Sequence, residues 1–260
     1  MNRLKLIASD LDGTLLLNGA QNLNPDTCFY IHELKKKGII FFASSGRQYY
    51  NLLNLFAPIR DEIGYICENG CMSFYDGVKL NKDTLPREAG QEIISAVLER
   101  EGFEVMVSGE DVCYITPKNM SFYHHIKDTI KYNVKIVPDL FAVEEDYLKV
   151  ALYREDGRTD PDYWHERFSG LCDVVTSGRE WIDMMPHNIN KGSALRHVLN
   201  VLGISPSECM AIGDNDNDRE MMELSGHPAA VRSARPQIRA IAEVETDTVE
   251  ELFRQIISCS

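Results

Sequence analysis

The sequence predicts an α/β fold: a parallel sheet covered by helices on both faces, interrupted midway by a separate α+β module. Three observations predict it. Short apolar runs near both ends of the chain alternate with amphipathic helical segments over short links. Polar clusters follow the carboxyl ends of those runs, where open parallel sheets bind their ligands. Between about 82 and 185 the pattern shifts to adjacent strands joined by links as short as Ser-Gly-Glu-Asp, which indicates antiparallel pairing.

Taken in order, 4–9 (LKLIAS) reads as a buried strand delivering Asp10 into a loop. Asn24-Pro25-Asp26 is a helix start, with a capping side chain, a first-turn proline and an acid at the positive end of the dipole. That helix carries Lys35, Lys36 and Lys37 at its end and stops at Gly38. A second buried strand, 39–44, leads through Ser-Ser-Gly-Arg into a helix containing Leu52, Leu53 and Phe56. The middle reads as helix 88–101, strands 103–108 and 112–116, helix 119–131, strand 147–153, helix 160–169 and strands 172–177 and 181–185. The α/β alternation then resumes: helix 191–202, strand 209–213, helix 217–224, a short strand at 229–231 and a last helix at 247–257. The expected division is 1–81 with 186–260 as one domain and 82–185 as an insertion.

With 260 residues, 44% of them apolar and 26% charged, the chain has the composition of an ordinary globular protein. Its formal charge of -13 repels phosphate backbones, which argues against nucleic acid or an anionic membrane as partner. An anionic substrate would need a local cation. Seven cysteines without a CxxC pair or a zinc-type set suggest reduced, buried thiols. No apolar run approaches membrane-spanning length, and the first residues turn acidic too soon for a signal peptide, so a cytoplasmic protein is expected.

Four strand ends carry the chemistry: Asp10-Leu11-Asp12-Gly13-Thr14, Ser44-Ser45-Gly46-Arg47, Glu68-Asn69-Gly70 and Gly213 through Asp218. Converging at one rim, Asp10, Asp12 and Asp214 would repel one another unless a cation lay between them. All-oxygen ligands suit a hard ion, Mg2+ best. A plainer role for Asp214 or Asp216 is capping the helix at 217–224. The Asp-Asn-Asp-Asn-Asp run opens like a calcium loop, but Arg219 replaces the required glycine and Ser225 the closing glutamate. Lys191 sits at a helix start, where the dipole disfavours a cation, which suggests an anionic neighbour. His124-His125 reads as a polar helix face, and the pairs Met184-Met185 and Met221-Met222 as core or cap lining.

Together, DLDGT at 10–14, Ser45 in SSGR, Lys191 in NKG and GDNDND at 213–218 resemble, in order and spacing, the four motifs of haloacid dehalogenase superfamily phosphatases. The long insertion is similar to the Cof-type subgroup IIB, which carries a C2 cap. That resemblance spans essentially the whole chain and implies a Rossmann-like core of 1–81 and 186–260 under an inserted α+β cap. It further implies Asp10 as nucleophile and Asp12 as the acid and base, protonated when attack begins. Asp10, Asp214, the Asp12 carbonyl and Asp218 would serve Mg2+, Asp218 as ligand or neighbour of a ligand. Ser45, Lys191, Asn217 and the amides of Leu11 and Gly46 would hold phosphoryl oxygens, with Arg47 contacting phosphate or substrate. Sugar phosphates or similar small metabolites are the implied substrates, phosphorylated cofactors also being open. A phosphomutase using the same phospho-aspartate and a non-catalytic phospholigand-binding protein are the alternatives. Monomer and homodimer both remain open.

Overall fold

The structure, a computed structural model, describes residues 4–259, without the side chain of Cys259. Its elements run β1 (Leu6–Asp10), α1 (Pro25–Lys36), β2 (Ile40–Ser44), α2 (Tyr49–Leu55), β3 (Gly64–Cys67), β4 (Met72–Tyr75) and β5 (Val78–Lys82). There follow α3 (Arg87–Leu98), β6 (Glu104–Ser108), β7 (Cys113–Ile115), α4 (Met120–His124), β8 (Val134–Ile136), β9 (Lys149–Tyr153), α5 (Pro161–Phe168), β10 (Asp173–Thr176) and β11 (Trp181–Met185). The chain closes with α6 (Lys191–Leu202), β12 (Cys209–Gly213), α7 (Arg219–Leu224), β13 (His227–Val231), α8 (Pro236–Arg239), β14 (Val244–Thr246) and α9 (Val249–Cys259). Two compact units result, one of Met1–Arg47, Leu52–Asn81 and Asn190–Ser260, the other of Gln48–Asn51 and Lys82–Ile189.

The first unit is built on an eight-stranded sheet in the order β14-β13-β12-β1-β2-β3-β4-β5. From β14 to β3 every pairing is parallel, and β4 turns back antiparallel on β3. Central β1 is buried along its whole length, as a strand covered on both faces must be. Helix α1 starts where the Asn24 side chain accepts the Asp26 N–H at 3.0 Å, and its exit passes through Gly38 at φ 78°. Helix α6 opens on a reciprocal cap between Asn190 and Ser193.

The second unit carries a six-stranded sheet, β10-β11-β9-β6-β7-β8. Strand alternation splits its side chains: Val105, Val107, Val150, Leu152, Ile182 and Met184 pack with α3 and α5, around Trp164 and Phe168. Met106, Ala151 and Tyr153 face the other way, toward Phe122 and Ile126. On that second face Lys149 and Asp183 form a buried ion pair at 3.1 Å, and Ser177 donates to the same carboxylate at 2.5 Å.

Several expectations are corrected. The helix expected over 119–131 is α for only one turn; His125–Thr129 widens into a π-helical turn, with the Ile130 N–H reaching back to the His125 carbonyl at 3.0 Å. There His125 stacks on Tyr153, ring centroids 5.0 Å apart, so it is no purely polar face residue. The second unit is not wholly antiparallel, since β7 and β8 pair in parallel across α4. Helix 217–224 begins as a 3-10 turn over Asp216–Asp218. A strand ending before Glu68-Asn69-Gly70 was expected and is β3; strands β4, β5, β8 and β14 were not expected, each having only three to five residues. Met184, Met185, Met221 and Met222 are fully buried, as are Cys67, Cys71, Cys113, Cys172 and Cys209. No described helix is long and apolar enough to cross a membrane.

Candidate active site

Asp10 is the last residue of the central strand, and the chain folds sharply after it. The Leu11 carbonyl accepts the N–H groups of Thr14 and Leu16, at 3.2 and 2.7 Å, so residues 11–16 form a tight loop around buried Leu11. Gly13 permits that loop. Its φ is 95°, and a Cβ there would lie 2.5 Å from a carboxylate oxygen of Asp214. Thr14 Oγ1 donates to Asp214 Oδ1 at 2.8 Å, joining the loop after β1 to the loop after β12.

Lys191, the first residue of α6, is 1% exposed. Its Nζ donates to Asp10 Oδ1 at 2.6 Å and to Asp218 Oδ1 at 2.7 Å. The anionic neighbour expected of a lysine at a helix start is thus a pair of carboxylates. Asp218 in turn accepts the backbone N–H groups of Asp214 and Asn215 on Oδ2, at 3.0 and 3.1 Å. Neither Asp214 nor Asp216 supplies a cap: the 3-10 turn that leads into α7 is capped by the reciprocal pair Asn215 and Asp218, while Asp216 is held by Arg235 and Gln237. A ligand oxygen from each of Asp10, Asp214 and Asp218 lies within 4.8 Å of the others.

Burial pushes the Asp10 carboxyl well above its ordinary pKa, reinforced by the charge of Asp218 and opposed by Lys191. Burial likewise raises Asp214, against the Thr14 hydrogen bond that favours its ionised form. At Lys191 burial disfavours the ammonium, but attraction to Asp10 and Asp218 outweighs it and holds the lysine protonated above its usual range. Three carboxylates therefore share one buried ammonium, an excess of negative charge that a dication would offset. The donor set is all oxygen and fits a hard ion such as Mg2+.

The loop after β2 forms a second group. Arg47 grips Asp12 with both arms of its guanidinium, Nε to Oδ2 at 2.8 Å and Nη2 to Oδ1 at 2.5 Å. The Asp12 carboxylate therefore turns to Arg47 and stands apart from the three clustered acids. Ser45 Oγ accepts the Arg47 N–H at 3.2 Å, and the Ser45 and Arg47 carbonyls accept the N–H groups of Asn69 and Glu68, each at 3.0 Å. Gly46 lies against the Asn69 amide, where a Cβ would come within 3.1 Å. Asn217 Nδ2 donates to Asn69 Oδ1 at 3.3 Å, so the loops after β2, β3 and β12 are tied together. Two of these residues escaped the sequence-based site. Thr14 belongs to the DLDGT motif but signals no partner by itself; Asn69, in the Glu-Asn-Gly cluster, is revealed only when β3 is placed beside β2.

Residues 7–252 match the family model described as haloacid dehalogenase-like hydrolase. Among curated proteins, the chain is 26% identical over 242 residues to the 5-amino-6-(5-phospho-D-ribitylamino)uracil phosphatase YbjI of Escherichia coli, covering 92% of this chain and 89% of that one. Among solved structures, a haloacid dehalogenase-like hydrolase from Bacteroides thetaiotaomicron superposes with TM-score 0.86 at 20% identity, over 98% of this chain and 100% of its own. The subclass IIB sugar phosphatase BT4131 superposes with TM-score 0.81, also at 20% identity, over 96% and 98% of the two chains.

Proposed function

Because this chain belongs to the haloacid dehalogenase-like hydrolase family, we propose that it hydrolyses phosphate monoesters of small metabolites, sugar phosphates or similar, through an aspartyl phosphate on Asp10. The observation that carries the reading is the Lys191 bridge, which leaves Asp10 buried and fixed at the end of β1, 2.6 Å from an ammonium. Held there, a carboxylate oxygen needs little reorganisation to attack phosphorus.

In this mechanism the Asp10 carboxylate displaces the alcohol, and Asp12 gives the leaving oxygen its proton. Asp12 then takes a proton from the water that cleaves the aspartyl phosphate, which returns both residues to their starting states. Lys191, Ser45 and Asn217, with the amides of Leu11 and Gly46, hold the phosphoryl oxygens as charge shifts during transfer. Bound by Asp10, Asp214 and the Asp12 carbonyl, with Asp218 alongside, Mg2+ would offset the shared negative charge and that of the phosphate. The chemistry belongs to 1–81 and 186–260, and choice of leaving group to the inserted 82–185.

The test is phosphate release from a panel of sugar phosphates and phosphorylated cofactors, with Mg2+ and with EDTA. Release that depends on Mg2+ is expected. Conversion of a substrate to its phosphate isomer without release would instead identify a mutase.

A further inference from the structure

We propose that Arg47 is a positioning residue for Asp12. Its guanidinium fixes the Asp12 side chain. In the attack step one oxygen carries the proton bound for the leaving oxygen while the other accepts from Arg47. The two-armed grip belongs to the ionised form that then takes a proton from water. The inference rests on the phosphatase reading above and gives Arg47 a role other than direct phosphate contact.

Asp12 needs such a partner. It lies on the loop after β1, and its side chain is 54% exposed, while that of Arg47 is only 13% exposed. A carboxylate that open to solvent samples several rotamers unless something holds it. The two-armed grip of Arg47, at 2.8 and 2.5 Å, engages both oxygens at once and so sets the plane of the carboxylate as well as its position. The grip itself stands on a fixed base. The Arg47 N–H is bound to Ser45 Oγ, and its carbonyl accepts the Glu68 N–H at 3.0 Å. Glu68 and the adjacent Asn69 hold left-handed backbone conformations, φ 50° and 54°; asparagine adopts this readily, but glutamate rarely does unless its surroundings impose it. The loop that carries Arg47 is thus anchored from two sides, and Asp12 is held through it, which is the support a positioned proton donor needs.

The experiment compares two esters in the full-length enzyme with Mg2+: glycerol phosphate, whose alkoxide cannot depart without a proton, and p-nitrophenyl phosphate, whose phenolate departs as a stable anion. Arg47→Ala and Arg47→Lys are each expected to lower kcat on glycerol phosphate about 10²-fold, the scale of a misplaced reacting group. The loss on p-nitrophenyl phosphate should be at least about tenfold smaller. Lysine keeps the charge but not the fork, so it should not rescue. In an Asp12→Ala background, Arg47→Ala should lower the ratio of the two rates no further. Equal losses on both esters, losses residing in KM, or rescue by lysine would overturn the role and make Arg47 a phosphate contact. A wild type that hydrolyses neither ester, nor any member of the metabolite panel, would overturn the phosphatase reading itself; activity with parallel losses overturns only the role of Arg47.

Discussion

A lysine with 1% exposure at the first position of a helix opposes both the dipole and the preference of charge for water. It persists because Asp10 and Asp218 repay both penalties through hydrogen bonds of 2.6 and 2.7 Å. Lys191→Met therefore leaves two buried carboxylates without their counter-charge and is expected to cost about 3–5 kcal/mol of stability, read by urea denaturation without added metal. A change below about 1 kcal/mol would mean that the carboxylates are satisfied without the lysine. Asp12 behaves differently, since its half-exposed side chain contributes little to stability. Asp12→Asn should leave the unfolding midpoint nearly unchanged while lowering turnover of alkyl phosphates by about 10²- to 10⁴-fold, the range of general acid catalysis. The sequence made Lys191 legible because a cation at a helix start is locally unfavourable. It could not reveal the Arg47–Asp12 grip, which joins residues 35 positions apart through the pairing of β1 with β2.

At the scale of elements, the site is made of loops that leave β1, β2, β3 and β12 at their carboxyl ends, held by main-chain bonds that tolerate few side chains. Gly13→Ala puts a Cβ 2.5 Å from Asp214 in a backbone at φ 95°. It should cost about 1–3 kcal/mol and lower activity further than that loss of stability explains, because Asp214 must shift. Thermal unfolding and phosphate release on the same preparation separate the two effects. Gly70 serves likewise, at φ 107°, where a Cβ would collide with the Asn190 carbonyl that precedes Lys191. Long, periodic elements were readable: α1 and α6 fall close to their expected bounds because cap, period and stop agree, and α3, which has no side-chain cap, falls within a few residues on its period alone. Strands of three residues such as β8 and β14 carry no such agreement, and no local pattern encodes the π turn at His125–Thr129, where His125 stacks on Tyr153.

Across the whole molecule, the two units have separate cores, and both tryptophans, Trp164 and Trp181, belong to the second. Tryptophan emission consequently reports that unit alone. The acidic cluster lies in the first, so Mg2+ at a hundred times its Kd should stabilise the first unit by about 2.7 kcal/mol. The far-ultraviolet transition should rise accordingly, and Asp214→Asn should abolish the rise. An unchanged shift in that variant would place the ion elsewhere. The succession of strands and helices at the ends of the chain made the α/β architecture readable, whereas the sheet order emerged only from the fold.

The most direct test of the central claim is to quench the wild-type enzyme in acid during turnover of a sugar phosphate and weigh its peptides. The peptide containing Asp10 should carry one phosphoryl group, and Asp10→Asn should carry none and release no phosphate. Turnover by the wild type with Asp10 unmodified, or by Asp10→Asn at all, would contradict a mechanism through aspartyl phosphate.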